Sequence, residues 1–129
     1  MNALPPRVVS FVATHLRSLN DLQVMVHCIE TEDRWWDAAA LSREIGVTAN
    51  EARHSLDHLA RGNLLDIKIT GDVRYSFAPG TDALREAALA CAAAFRAHPV
   101  AVIQLVGETP SAAFRDFANA FRMRRDDDS

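Results

Sequence analysis

With 129 residues the chain holds about one domain's worth of sequence, enough to bury roughly two-thirds of its unfolded surface in one compact core. Its formal charge of -3, from 14 basic against 17 acidic side chains, excludes an overall positive field drawing it onto nucleic acid, so any DNA binding must rest on a local patch. The two cysteines, Cys28 and Cys91, each sit in an apolar helical pattern and make neither a disulfide framework nor a zinc-ligand set; buried thiols in a reducing cytosol are expected.

Pro5-Pro6 opens a first helix running to about Arg17, with Val9, Val12 and Leu16 at helical spacing and proline tolerated where first-turn amides lack internal partners. Asn20 or Ser18 caps a second helix on which Leu22, Met25, Val26 and Ile29 follow the i, i+3, i+4, i+7 template, and Glu30, Glu32 and Asp33 end it in a loop. Trp35 or Trp36 is expected to plug the core. Asp37 then caps a short helix from Ala38 to Glu44, stopped by Gly46. Thr48 and Glu51 form a capping box that starts the next helix, with Ala52, Leu56 and Leu59 on its apolar face and its end near Arg61-Gly62.

After Gly62 the period changes to two. Leu65, Ile67 and Ile69 alternate with Asp66, Lys68 and Thr70, and Val73, Tyr75 and Phe77 alternate with Arg74 and Ser76, around a tight Gly71-Asp72 turn. Ile67, Ile69, Tyr75 and Phe77 are expected to pack inward. Helix, short turn, capped helix and hairpin is the winged-helix order, over about 18–78 of a mainly α chain with a small β-hairpin and additional helices at both ends.

Pro79-Gly80 breaks the chain, and Thr81 caps a long helix whose seam reads Leu84, Ala88, Cys91, Phe95, His98, Val102 and Leu105 in alternating steps of four and three. Pro99 calls for a kink or a fresh helix start. The β-branched run Val100, Val102, Ile103 and Val106 also fits a buried strand, but with no hairpin partner near it helix is the better reading. Ser111 caps a last helix with Phe114, Phe117, Ala118 and Phe121 as its apolar stripe, and the C-terminal helices over 81–125 are expected to dimerise the protein.

Ala38-Ala-Ala-Leu-Ser-Arg-Glu-Ile-Gly-Val-Thr48 and Leu56-Asp-His-Leu-Ala-Arg-Gly-Asn-Leu-Leu65 resemble the winged helix-turn-helix module of MarR-like and ArsR-like bacterial regulators. That resemblance implies 48–61 as recognition helix and 66–77 as wing. The segment Val100-Ala-Val-Ile-Gln-Leu-Val106 and the Phe-rich final helix are also similar to small bacterial winged-helix proteins without an assigned activity, which supports the architecture and supplies no function.

With Leu56 and Leu59 turned inward, Thr48, Ala49, Asn50, Arg53, His54 and Asp57 are the candidate DNA-reading positions, Asn and Arg being suited to adenine and guanine edges. Lys68, Thr70 and Arg74 on the polar face of the wing are candidate phosphate contacts. Arg43, Arg53, Arg61, Lys68 and Arg74 are set against Asp37, Glu44, Glu51, Asp57, Asp66 and Asp72, which leaves the module near neutral, low for a DNA binder. His54 and His58, one turn apart with Asp57 between them, lack third and fourth ligands, so no metal site is expected. No catalytic constellation or cofactor motif is present, so neither an enzyme nor a cofactor is expected.

The sequence therefore predicts a homodimeric regulator of transcription presenting two recognition helices to double-stranded DNA. The alternative is a protein-interaction module docking onto a regulatory or signalling partner. Val100 to Val106, interrupted by Gln104, is far below the roughly 20 residues of a spanning helix, and no charged leader precedes an apolar signal core. A cytoplasmic protein with no membrane segment is expected.

Overall fold

The computed structural model describes residues 4–108. It is mainly helical, with α1 Pro6–His15, α2 Leu19–Glu30, α3 Ala38–Ile45, α4 Ala49–Arg61, the hairpin strands β1 Leu65–Thr70 and β2 Asp72–Phe77, then α5 Asp82–Ala97 and α6 Pro99–Gly107. The expected final helix with its Phe stripe lies outside the described residues.

Each helix starts where its sequence dictates. Ser18, not Asn20, caps α2, its hydroxyl accepting from the Asp21 amide at 3.2 Å, and Asp37 caps α3 through the Ala40 amide at 2.7 Å. Gly46 closes α3 at φ 76°, a left-handed conformation that costs glycine nothing. Both halves of the capping box form on α4: Glu51 N–H donates to the Thr48 hydroxyl, and Thr48 N–H to the Glu51 carboxylate, each at 3.1 Å. That backbone hydrogen bond from Thr48, then its side chain and Asn20, hold the Glu51 carboxyl below its ordinary range.

The buried side chains form one cluster reaching from Val8 on α1 to Val106 on α6. On α1 the buried face is Val8, Phe11 and Val12, while Val9 points to solvent, because the packing follows the face opposite α5 rather than the stripe that starts at Val9. Trp36 is the plug, 2% exposed, with its indole N–H donating to the Thr31 hydroxyl at 2.9 Å and its ring against His27; Trp35 is half-buried.

Trp36 also does something the hairpin pattern does not reveal. Its N–H and C=O pair with the C=O and N–H of Tyr75, both at 2.8 Å, so the residue leading into α3 adds a third chain to the two-stranded sheet. The strands pair antiparallel from Leu65 opposite Phe77 to Thr70 opposite Asp72, leaving Gly71 alone at the tip with φ 95°.

Two expectations fail here. Ile67 and Ile69 do not pack inward: the hairpin projects past the helical layer, so only its base (Leu65, Tyr75 and Phe77) reaches the core. The seam from Leu84 to Leu105 is not continuous either. Pro99 supplies no amide to extend α5, so α6 starts afresh, bent by 119° from it, and His98 is exposed at the corner. Of the expected seam, Ala88, Cys91 and Val102 are buried and Leu84, Phe95 and Leu105 pack partly buried against the core, joined there by Ala92 and Val106; the small members let α5 lie close against α1. Burial pushes both thiols, Cys28 and Cys91, up to about 12. No single helix among the described residues is long and apolar enough to cross a membrane.

Replacing Trp36 by alanine removes a fully packed indole and is expected to cost about 3–5 kcal/mol. Trp35→Ala, which loses a half-buried ring and its contact with the Lys68 ammonium, is expected to cost less than about 1 kcal/mol. Urea denaturation of the two variants checks this difference.

Candidate nucleic-acid interface

The helix-turn-helix is α3, the turn from Gly46 to Thr48, and α4. Ala52, Ser55, Leu56 and Leu59 bury one side of α4, which leaves Thr48, Ala49, Asn50, Arg53 and His54 on its exposed side, gathered towards its N-terminal half. That is where a recognition helix reads base edges. The helix is held at both flanks: the Asn20 amide donates to Glu51 at 3.2 Å, and the Arg17 guanidinium reaches the His54 carbonyl at 3.4 Å.

Asp57 is placed differently from the other expected contacts. It is half-buried, and its Oδ1 accepts a 2.5 Å hydrogen bond from the Tyr75 hydroxyl. Burial, then the hydrogen bond and the charge of Asp57, push the Tyr75 phenol up to about 12. Asp57 therefore fastens α4 to β2, with one carboxylate oxygen committed to that bond. An inward-facing tyrosine needs a partner for its hydroxyl, so the alternation around Tyr75 was a signal that some polar group of a packed element must meet it.

On the wing, Lys68, Thr70 and Arg74 are all exposed, as a phosphate-facing surface requires. Arg74 Nε, however, lies 3.1 Å from the carboxylate of Asp72, and the Lys68 ammonium sits 5.6 Å over the Trp35 ring. Ser76, on the same face nearer the base, is buried and donates to the Glu32 carbonyl. Among the described residues, the candidate contacts Arg53 and Lys68 form no ion pair with a carboxylate, and neither do Arg43 and Arg61 of the two helices.

His54 and His58 do not converge. His58 Nε2 is 2.8 Å from the His15 carbonyl oxygen and 3.7 Å from the buried carboxylate of Asp21, while His54 faces outward. Burial, then the adjacent His58, hold His15 below the ordinary imidazole range. Among the described residues no three His, Cys, Asp or Glu side chains come together as metal ligands. Arg17, which sequence reasoning passed over, lies with His54, Asp57 and Arg61 around a small cleft of about 170 Å³, but its Nε is already 3.2 Å from Asp21.

Between α4, the start of α3 and the hairpin runs a larger groove of about 770 Å³. The hairpin contributes Ile67, Ile69 and Val73, which are 45%, 74% and 42% exposed, and Asp37, Asp57, Asp72 and Arg53 line the groove with them. This surface is apolar and acidic beside a helix whose own exposed side is polar and basic.

No family model, curated protein or solved structure matches the chain.

Tyr75 is the single tyrosine of the chain, so an alkaline titration followed by phenolate absorbance reports on it alone. A midpoint near 12 is expected in place of the ordinary value near 10, and Asp57→Asn should bring it down by removing the facing charge. Because the folded value is the higher one, the stabilisation is complete below the unfolded value and is lost as pH rises through the folded one. Unfolding free energy should therefore fall between roughly pH 10 and 12 in the wild type, and less steeply in Asp57→Asn.

Proposed function

We propose that the protein is a cytoplasmic, non-enzymatic regulator that binds double-stranded DNA through α4 and the β1–β2 wing, and does so as a homodimer built by the helices that flank the winged unit. The observation that carries this reading is the placement of Ala49, Asn50, Arg53 and His54 on the exposed N-terminal half of the second helix of a helix-turn-helix, with a hairpin held beside it by the Asp57–Tyr75 bond. In that placement Asn50 and Arg53 face base edges while Lys68 and Thr70 approach the flanking phosphates.

A second reading has its own observation. The apolar, acid-rimmed groove adjoining α4 is a poor surface for a polyanion and a good one for a basic, apolar peptide, which favours a protein-interaction module acting without DNA. The two readings differ in salt dependence. With Lys68 as the wing cation outside any ion pair and Arg53 directed at base edges, each protomer releases few counterions, and the logarithmic salt slope is expected at about -1 per protomer.

Fluorescence anisotropy with labelled duplex at about 50 mM salt, where a few phosphate contacts still register, tests the choice. Arg53→Ala is expected to weaken a preferred duplex by about 1–3 kcal/mol and random duplex much less, whereas Lys68→Ala weakens both alike. Absence of any duplex binding by the wild type under those conditions removes the DNA reading and leaves the interaction module.

A further inference from the structure

We propose that the outer edge of β1 pairs antiparallel with β1 of a second copy of the chain, the two strands meeting at Ile67. Both backbone groups of Tyr75 are bonded to Trp36 and so point away from β1. Ile67, directly opposite Tyr75, therefore turns its own N–H and C=O to the far side of the hairpin. Among the described residues no strand pairs with that side. The Ile67 amide is met there by the carboxylate of its neighbour Asp66, at 3.0 Å. Access is open, since 66–70 are all exposed, and Ile67 and Ile69 carry apolar side chains that the core beneath does not cover.

An open edge with exposed β-branched side chains is a template for another strand, and the charges of β1 decide which strand fits. Asp66 and Lys68 flank Ile67 on the polar face, are the only ionisable residues from Leu65 to Thr70, and form no ion pair among the described residues. Charges on an edge ordinarily deter an incoming strand. Antiparallel pairing about Ile67, however, sets Asp66 of each copy directly opposite Lys68 of the other, twice over by the two-fold symmetry. On the apolar face the same register brings Ile67 against Ile67 and Ile69 beside Leu65. A slip that keeps the outward backbone groups facing one another opposes Asp66 to Asp66 in one direction and Lys68 to Lys68 in the other. The strand is thus complementary to itself, in one register.

This contact lies on the hairpin, apart from the flanking helices assigned to the homodimer above, and it involves no DNA. It therefore stands or falls separately from both.

Amide hydrogen exchange over 66–69 in the full chain, followed against protein concentration, tests the pairing, because protection there reports on this edge. The variants are Asp66→Lys, Lys68→Glu and the two combined, all at exposed positions whose change leaves the core intact. In the wild type, exchange over 66–69 is expected to slow as concentration rises. Each single variant opposes two pairs of like charges and is expected to weaken this association roughly tenfold. The combined variant exchanges the two charges, opposes unlike ones again, and is expected to return to within about threefold of the wild type. Exchange over 66–69 that is independent of concentration overturns the proposal, whether the edge stays open or is covered within one chain. Protection that both single variants leave unchanged also overturns it, and so does a combined variant as weak as the single ones. Self-association with no protection over 66–69 leaves the flanking-helix dimer standing and removes the strand pairing.

Discussion

Tyr75 joins three parts of the molecule that no local rule brings together. Its backbone pairs with Trp36, which fixes where the chain enters α3; its ring is buried at the hairpin base; and its hydroxyl is held by Asp57 on α4. The angle between α4 and the hairpin follows from these contacts. The Trp36 indole anchors the same junction from beneath, with the Arg34 guanidinium 4.0 Å over its ring, and the Arg85–Glu32 ion pair ties α5 to the loop beside the hairpin base. A hydrogen bond from a buried phenol to a carboxylate is worth more than one between neutral partners, and it is costly to leave half-made, so this junction resists small rearrangements.

That junction also sets the electrostatics of the candidate interface. The fold commits an oxygen of Asp57 to the Tyr75 hydroxyl and sets Asp72 against Arg74, engaging side chains that the linear sequence presents as free. The surface beside α4 is divided into a polar strip at the N-terminal half of the helix, where Glu51 offsets Arg53, and an apolar groove lined by carboxylates beside the hairpin. A binder built this way gains little from phosphate attraction and must draw its discrimination from a few base-edge contacts.

The helices from α2 to α4 were legible in the sequence because each is started by a side chain acting within three residues: Ser18, Asp37, and Thr48 with Glu51. The hairpin was legible from its period of two. What escaped was set by tertiary geometry. Alternation assigns Ile67 and Ile69 to the same face as Leu65, but not how far the core extends beneath that face. The heptad-like spacing from Leu84 to Leu105 persists through Pro99, yet the missing amide turns the chain by 119° there. The third chain of the sheet rests on one residue pair, Trp36 with Tyr75, too short to leave any periodicity. At the interface, Asn50, Arg53 and His54 could be placed from the Leu56/Leu59 face alone, whereas the engagement of Asp57 and Arg74 depended on neighbours that only the folded hairpin supplies.

In the proposed DNA-binding mode, α4 reads base sequence through Arg53 on a helix oriented by Tyr75. Mapping the DNA that co-purifies with the protein from cells, for wild type and Arg53→Ala at matched abundance, tests it most directly. Discrete, pseudo-palindromic sites are expected for the wild type and their loss in Arg53→Ala. Enrichment indistinguishable from background in the wild type, or a site pattern unaltered by Arg53→Ala, would contradict it.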